Sequence, residues 1–159
     1  MGNLTNDAFV REVNALSKTA FGVAFLILKN ASDCEDAMSA AILSAYENRR
    51  KLKKRDSFRA WFLQILRNKA YSILRERRRV TQTDAIPDAP APETDAATSL
   101  DLRAAVLRLP EIQRNALYLQ QEGYAVQEIA AIMEIPIGTV KSRLARAKET
   151  LRTILEESL

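Results

Sequence analysis

The sequence contains no histidine, and Cys34 is its single cysteine. A Ser-His-Asp triad, a Cys-His dyad and the common zinc-ligand sets all need residues that this chain lacks. One cysteine also forms no internal disulfide, which is compatible with a reducing compartment. We therefore expect no enzyme of these classes, no bound metal and no cofactor, and we interpret Cys34 as an inert thiol.

Long apolar runs are missing as well. The longest one, residues 20–28, covers 9 residues, whereas a helix needs about 20 to cross a bilayer. The first residues are polar and lack the cationic and apolar segments of a secretion signal. We expect no membrane insertion and a cytoplasmic location.

Positive and negative charges are distributed unevenly along the 159 residues. Residues 1–80 have a net charge of +8, residues 81–99 of −4, and residues 100–159 of 0. The middle segment has 3 prolines and one large aliphatic residue, Ile86, so it buries too little apolar surface to fold alone. We predict two modules, 1–80 and 100–159, joined by an acidic Pro/Ala-rich linker that is either a spacer or a functional acidic strand.

Helical periodicity recurs in both modules. In the first module, apolar residues at three- and four-residue spacing predict helices over 6–28, from Ser32 onwards and after Ser57. Ser32 and Glu35 form a capping-box pattern at the second helix start. The sequence has no sustained two-residue alternation of the kind that marks strands. These patterns predict an all-α fold of two small helical modules.

Residues 124–152 have the pattern of two short helices joined by a tight turn, and the second helix is cationic. Apolar residues recur up to Met133, are interrupted at residues 135–138, and resume at Val140. Pro136 favours a helix start because its φ angle is preset. This layout is typical of a helix-turn-helix that binds DNA.

The face of the second helix opposite its apolar stripe carries small residues. Gly138, Ser142 and Ala145 lie on that face when residues are placed at about 100° each around the helix. Lys141 and Arg146 flank it. Small outward residues allow close approach to a major groove, where cations reach phosphates or guanine edges. The alternative interpretation is a solvated face on an ordinary packing helix.

Two basic runs, residues 49–55 and 75–79, lie on either side of an aromatic-rich helix. Cations neutralise phosphates and aromatic rings stack on unpaired bases, a combination that favours single-stranded nucleic acid. The spacing of Phe58, Trp61 and Phe62 also fits the core of the module. For each ring we favour the core, and for the basic runs we favour nucleic acid.

Several motifs in the two modules resemble one known family. Residues 57–79 open with Ser-Phe-Arg-Ala-Trp, contain an Arg-Asn pair and end in a basic run. Residues 107–152 contain Leu-Pro-x-x-Gln-Arg, then Glu-Ile-Ala, then Gly-Thr-Val-Lys-Ser-Arg-Leu. In these motifs, over residues 21–152, the chain resembles the extracytoplasmic-function (group 4) σ factors of bacterial RNA polymerase.

The resemblance implies a role in transcription initiation and not an enzymatic reaction. The N-terminal module would bind the polymerase clamp and open the −10 promoter element, and the C-terminal module would recognise the −35 element. Core RNA polymerase, promoter DNA and an anti-σ factor are the implied partners. The linker would enter the active-site cleft of the polymerase, whose cations suit an acidic strand.

The resemblance also implies a role for individual residues. Those expected at the −35 element are Thr139, Lys141, Ser142, Arg143 and Arg146. Those expected at the −10 element or its opened strand are Lys53, Lys54, Arg55, Ser57, Arg67, Asn68 and Lys69. Those expected on the polymerase-binding surface are Asp33, Asp36, Ser39, Ala40 and Leu43.

The chain departs from the family pattern on its second helix. Ser39 and Ala40 stand where family members usually have Gln and an acidic residue; a smaller difference is Ser72, often Asp in the family. The departure leaves open a σ-like mimic that sequesters an anti-σ factor without forming productive polymerase complexes. A stand-alone helix-turn-helix repressor is a further alternative, although it would usually need to dimerise to read two half-sites.

Overall fold

The computed structural model describes residues 4–53, 57–81 and 104–157, and every regular element in them is helical. The N-terminal module consists of α1 (Asn6–Leu28), α2 (Ala31–Glu47), a 3-10 turn (Arg49–Lys51) and α3 (Phe58–Thr81). The C-terminal module consists of α4 (residues 104–108), α5 (Glu111–Gln121), α6 (Val126–Met133) and α7 (Ile137–Glu157). The all-α prediction is confirmed. The predicted linker, 81–99, lies outside the described residues except for helical residue 81.

Short polar contacts decide where the N-terminal helices begin. The predicted bounds of α1 are confirmed: the Ala8 N–H donates to Thr5 Oγ1 at 3.1 Å, and the helix ends at Leu28, before Lys29, where φ is 64°. The predicted cap of α2 at Ser32 is wrong by two residues, because the N-cap is Asn30 and α2 begins at Ala31. The Asn30 side chain accepts the Asp33 N–H at 2.8 Å, and Asn is among the best N-cap residues.

The three long N-terminal helices pack around an aromatic cluster. Phe62 is fully buried and Phe58 nearly so. Phe58 meets the edge of Phe9 at 5.9 Å between ring centroids and stacks on Phe62 at 6.0 Å. The core interpretation of Phe58 and Phe62 is thereby confirmed, while Trp61 is half-buried at the margin of the cluster.

The C-terminal module buries the stripe of α7 that its spacing predicts. Val140, Leu144 and Ala147 are buried, the first two against the main core and Ala147 beside Leu109 and Ile154. Because apolar side chains every three to four residues lie on one side of a helix, this packing leaves the opposite side of α7 in solvent.

The two modules pack against each other, which the sequence patterns did not indicate. The main cluster of buried apolar residues extends from α1, α2 and α3 into α5, α6 and α7. α3 lies against α6, and α1 lies against α5. At Gly22 of α1, an added Cβ atom would overlap the ring of Tyr118 on α5. The main core is therefore built by both modules, while a smaller cluster joins α4, α5 and α7 within the C-terminal module. None of the described helices is both long and apolar enough to cross a membrane.

Candidate nucleic-acid and polymerase interface

The turn between α6 and α7 has the geometry of a helix-turn-helix. α6 ends at Glu134, where φ is 57°, and the Ile135 N–H donates back to the Ala130 carbonyl at 3.1 Å. The Pro136 carbonyl then accepts the N–H groups of Thr139 and Val140 at 3.0 and 3.1 Å. Pro136 thus precedes the first helical residue by one position and provides the first intrahelical acceptor. Two residues, Ile135 and Pro136, separate the left-handed turn at Glu134 from the start of α7.

Three of the five residues predicted at the −35 element lie on the side of α7 that faces away from the core, and the other two lie at the margin of that side. Lys141, Ser142 and Arg146 are exposed, and Thr139 and Arg143 are half-buried. Gly138, Ala145 and Glu149 are exposed between them. A Cβ atom added at Gly138 would have no neighbour within 4 Å. The outward surface of α7 is therefore narrow, unobstructed by other described residues and lined by cations.

The residues predicted at the −10 element occupy the start and middle of α3. Lys53 and Ser57 are exposed before the helix, Asn68 is exposed, and Lys69 is half-buried. Lys54 and Arg55 lie outside the described residues. The Ser57 Oγ accepts the Ala60 N–H at 3.3 Å, which caps α3, and donates to Glu128 Oε2 at 3.2 Å. Ser57, a predicted DNA contact, is thus already engaged by the C-terminal module.

Arg67 is the predicted −10 residue with the most unusual surroundings. Its guanidinium lies 4.8 Å from the centroid of the Tyr71 ring, and burial lowers its pKa. Its Nε atom is buried and finds no hydrogen-bond acceptor among the described residues. The carboxylates of Glu111 and Glu134, both in the C-terminal module, partly offset this loss of hydration. Burial therefore desolvates a cation that is expected to meet phosphate.

A bidentate ion pair joins the two modules, and neither partner was predicted to form a contact. Arg59 Nε donates to Glu128 Oε2 at 2.7 Å, and Arg59 Nη2 donates to Glu128 Oε1 at 2.6 Å. The guanidinium also lies 4.1 Å from the centroid of the Tyr124 ring. Hydrogen bonds from Arg59 are the main reason that the pKa of Glu128 falls from 4.5 to about 2.

Further polar contacts cross the same interface. Gln64 Nε2 donates to Glu134 Oε1 at 2.5 Å, and Thr19 Oγ1 donates to Glu122 Oε1 at 3.1 Å. Arg114, the last residue of the Leu-Pro-x-x-Gln-Arg motif, is buried and donates through Nη2 to the Leu26 carbonyl of α1 at 3.0 Å. Arg114 Nη1 also donates to the Leu109 carbonyl at 3.1 Å, so this motif residue positions α5.

The residues predicted to bind polymerase lie along α2 but differ in their surroundings. Asp33 is half-buried and pairs with Arg77 Nη1 of α3 at 2.7 Å, so it also stabilises the N-terminal module. Asp36 and Ser39 are exposed, Ala40 is half-buried, and the Leu43 side chain is prominent, with 60% of its surface exposed.

An open apolar groove of about 590 Å³ runs beside Leu43 between α1 and α2. Its lining residues are Asn6, Phe9, Val10, Ser39, Ile42, Leu43 and Tyr46. Two of the exposed members, Val10 and Leu43, are large aliphatic residues, which is the surface chemistry of a protein-binding site. In the described ranges, no three His, Cys, Asp or Glu side chains are arranged to hold a metal ion.

The contacts that the sequence did not predict are those that join the two modules. Arg59 and Glu128 are 69 positions apart, and Gln64 and Glu134 are 70 apart. Periodicity reports only neighbours on one helix, so these partners leave no local signal. Glu128 belongs to the Glu-Ile-Ala motif, but the motif does not indicate that Arg59 is its partner.

Comparisons with known proteins match both modules. The profile described as Sigma-70 region 2 matches residues 13–80, and the profile described as Sigma-70, region 4 matches residues 99–151. The chain is similar to the ECF RNA polymerase sigma factor SigW of Bacillus subtilis, with 28% identity covering 95% of this chain and 90% of SigW. It is 32% identical to the ECF RNA polymerase sigma factor EcfG of Rhodopseudomonas palustris, covering 79% of this chain and 73% of EcfG.

The arrangement of the helices also matches a solved structure. The sigma factor RpoE of Bartonella quintana, in complex with the anti-sigma factor NepR, superposes with a TM-score of 0.76 at 27% identity, covering 93% of this chain and 96% of RpoE. Both modules, their order and their helices thus agree with one family. This chain belongs to the extracytoplasmic-function group of the σ70 family and is a promoter-recognition σ factor.

Proposed function

We propose that residues 100–159 recognise the −35 element and that residues 1–80 bind and open the −10 element. The observation that carries the first assignment is the outward surface of α7, where Gly138 and Ser142 form a narrow ridge with cations on either side. A helix of this shape fits the major groove, and Arg recognises guanine through two hydrogen bonds. Arg143 and Arg146 are the residues assigned to base recognition, and Thr139 to a phosphate near the helix start.

The assignment of the −10 element rests on α3. Asn68 is exposed and Lys69 is half-buried, and both directly follow Arg67 on this helix. Cations at this position neutralise phosphates, while an Asn side chain both donates and accepts hydrogen bonds to an unpaired base edge. Strand opening by this surface needs binding energy alone, so the proposed function involves no covalent chemistry by the chain.

Core RNA polymerase is the proposed partner of α2. Asp36 and Ser39 are exposed on α2, and Ser39 and Leu43 line the apolar groove. The surface therefore offers a partner both a negative charge and apolar area that binding would bury. The structural neighbour in complex with an anti-sigma factor supports an anti-σ factor as a further partner. A cytoplasmic location follows from these proposed partners. The linker at 81–99 is proposed to connect the two DNA-binding modules within the polymerase complex.

Transcription in vitro with core polymerase on a promoter library tests this function. We expect specific transcripts from the native chain, and we expect Arg143→Ala or Arg146→Ala to change the preferred −35 sequence. One bidentate Arg–guanine contact is worth roughly 1–3 kcal/mol of discrimination. Arg152→Ala, on the same helix beyond the proposed site, is the matched control and should leave the preference unchanged. Unaltered promoter choice in both variants would contradict the groove assignment.

The substitution of Ser39 and Ala40 for the usual polar and acidic pair favours a second candidate, a σ mimic that captures an anti-σ factor. Affinity for core polymerase at fixed salt separates the two, because charged interfaces weaken as salt rises. A working σ factor should bind core natively, and Ser39→Gln with Ala40→Glu should tighten binding modestly. A mimic should bind at background level until the pair is restored.

A further inference from the structure

We propose that Arg77 is a positioning residue that joins the end of α3 to the start of α2, and that Asp33 serves this contact and not the polymerase. The proposal separates Arg77 from the other cations of residues 75–79, whose expected partner is nucleic acid. It rests on the proposed function, because α3 and α2 are the helices assigned to the −10 element and to core polymerase.

The contacts of Arg77 meet at the turn between α1 and α2. Arg77 Nη1 lies 2.7 Å from Asp33 Oδ2 and donates to the Leu28 carbonyl at 3.2 Å. Leu28 is the last residue of α1, and Asp33 lies in the first turn of α2. A cation at the C-terminus of one helix and a carboxylate at the N-terminus of the next both complement the helix dipoles. One nitrogen of α3 therefore holds two helix ends together, and we call this set of contacts the anchor.

Asp33 is held in place for the anchor by the cap of its own helix. Its N–H donates to Asn30 Oδ1 at 2.8 Å, and its Oδ2 accepts from Asn30 Nδ2 at 2.9 Å. The same Nδ2 donates to the Leu28 carbonyl at 3.2 Å. The Asp33 side chain is 20% exposed and its Oδ2 is shared by Asn30 and Arg77, so little of it is left for a second protein. Asp36 is exposed, and it is the acid of this turn that faces a partner.

The helical period places Arg77 on the side of α3 that packs against the core. At about 100° per residue, Arg77 lies within about 20° of Leu66 and Ala70 around the helix, and both of these residues are fully buried. Arg75 and Arg79 lie about 160° away from Arg77 by the same rule. The basic run therefore has two sides, and the side of Arg77 faces the module while the other faces solvent.

The anchor connects two binding surfaces of the N-terminal module. Residues 75–80 are exposed, so apolar packing does not hold this end of α3. On α2, Asp36 and Leu43 follow Asp33, and their direction depends on how the helix begins. Arg77 thus fixes the cationic end of α3 relative to the polymerase-binding surface, and it does so through Asp33.

The thiol of Cys34 reports on the anchor in the free, full-length chain. Cys34 follows Asp33 and is fully buried, so a thiol reagent reaches it only when the start of α2 opens. We expect Arg77→Gln to react about threefold faster than the native folded chain, a modest change because Arg77 is half-exposed and solvent screens the pair. Loss of the Arg77 charge leaves Asp33 uncompensated, which disfavours the thiolate. A faster reaction therefore reports opening and not ionisation.

Two further variants control this measurement. Arg77→Lys should react at the native rate, because a single ammonium nitrogen can serve both acceptors. Arg79→Gln removes the same charge from the same end of α3 but loses only the contact with Glu76 at 3.4 Å, so its rate should also be native. An unchanged rate in Arg77→Gln, or an equal increase in Arg79→Gln, would overturn the anchor.

A double-mutant cycle separates positioning by Asp33 from direct contact with polymerase. Asp33→Asn retains an oxygen for Asn30 and loses the charge. We expect Asp33→Asn and Arg77→Gln each to weaken binding to core polymerase about threefold, and the double variant to bind no more weakly than either. Asp36→Asn should weaken binding equally with and without Arg77. The same additive behaviour in Asp33→Asn would show a direct contact and overturn the assignment of Asp33.

The salt dependence of binding to random single-stranded DNA tests whether Arg77 contacts phosphate. Each phosphate contact contributes about 0.7 to the slope of log affinity against log salt concentration. Arg79→Gln should reduce the slope by about this amount, and Arg77→Gln should leave it unchanged. Equal reductions in the two variants would overturn the separate role of Arg77.

Failure of the anchor and failure of the proposed function give different results. Absence of core-polymerase binding by the native chain would refute the proposed function, and the rate of Cys34 labelling would still decide the anchor. Normal core binding with an unchanged labelling rate in Arg77→Gln would refute the anchor alone.

Discussion

Replacement of Gly22 by alanine should destabilise the chain, although alanine is the better helix former. Gly22 lies inside α1 where the helix meets α5, and an added Cβ atom would lie 2.1 Å from Tyr118 Oη and 2.5 Å from Tyr118 Cζ. Because an ordinary contact between carbon atoms is about 3.5 Å long, the ring would have to move by roughly more than 1 Å to make room for the added Cβ atom.

Two opposing effects determine the size of the change. Ala in place of Gly in a helix interior stabilises by about 1 kcal/mol. Overpacking of a filled site destabilises by roughly 1–3 kcal/mol. Tyr118 is half-buried and its hydroxyl donates to Glu122 Oε1 at 3.4 Å, and both features restrain the ring. We expect a net loss of about 1 kcal/mol in the free energy of unfolding.

Denaturant unfolding of four chains measures this loss: native, Gly22→Ala, Tyr118→Leu and the double variant. Once the ring is removed, Gly22→Ala should become stabilising by about 0.5–1 kcal/mol, so the sign of its effect should reverse. Gly138→Ala is the matched control, since an added Cβ there meets nothing within 4 Å, and it should not destabilise. A stabilising effect of Gly22→Ala in the native background would refute the reasoning.

Two further predictions concern titrating groups. The pKa of Glu128 is about 2 in the folded chain and 4.5 ordinarily, so its contribution to stability is present above pH 4.5 and lost as the pH falls towards 2. The difference in unfolding midpoint between native and Glu128→Gln chains should shrink across that window, and a constant difference would contradict the assignment. Burial, followed by the charge of Asp33, raises the pKa of the Cys34 thiol to about 11. A thiol reagent at pH 8 should therefore react much faster with the unfolded chain than with the folded chain, and equal rates would be inconsistent with a protected thiol.

Helix positions and helix faces could be predicted closely from the sequence. The bounds of α1 and the start of α3 agree with the structure, and the stripe of α7 is buried as its spacing predicted. The start of α2 was misplaced because Ser32 and Asn30 are both good caps. Asn30 as cap accepts the Asp33 N–H, whereas Ser32 as cap would accept the Glu35 N–H. Which residue caps the helix depends on the chain direction after Lys29, whose left-handed conformation ends α1.

The site could be predicted only in part. The cations of α7 share one helix, so a 3.6-residue period alone places Lys141 and Arg146 on the exposed side. The contact surface of α3 depends in addition on what packs against it. Ser57 and Arg67 were predicted as DNA contacts from their motif, but their neighbours Glu128, Glu111 and Glu134 come from the other module.

The sequence by itself therefore determined the all-α class and the helix-turn-helix, and its motifs indicated the family, because each of these depends on residues close together in the chain. Only the tertiary structure decided how the two modules meet. Arg59 and Glu128 pair across 69 positions, and Gly22 admits the Tyr118 ring of a distant helix. Contacts of this kind arise from the shapes and charges of helix faces that become neighbours only after folding, so the pattern of either helix alone does not specify them.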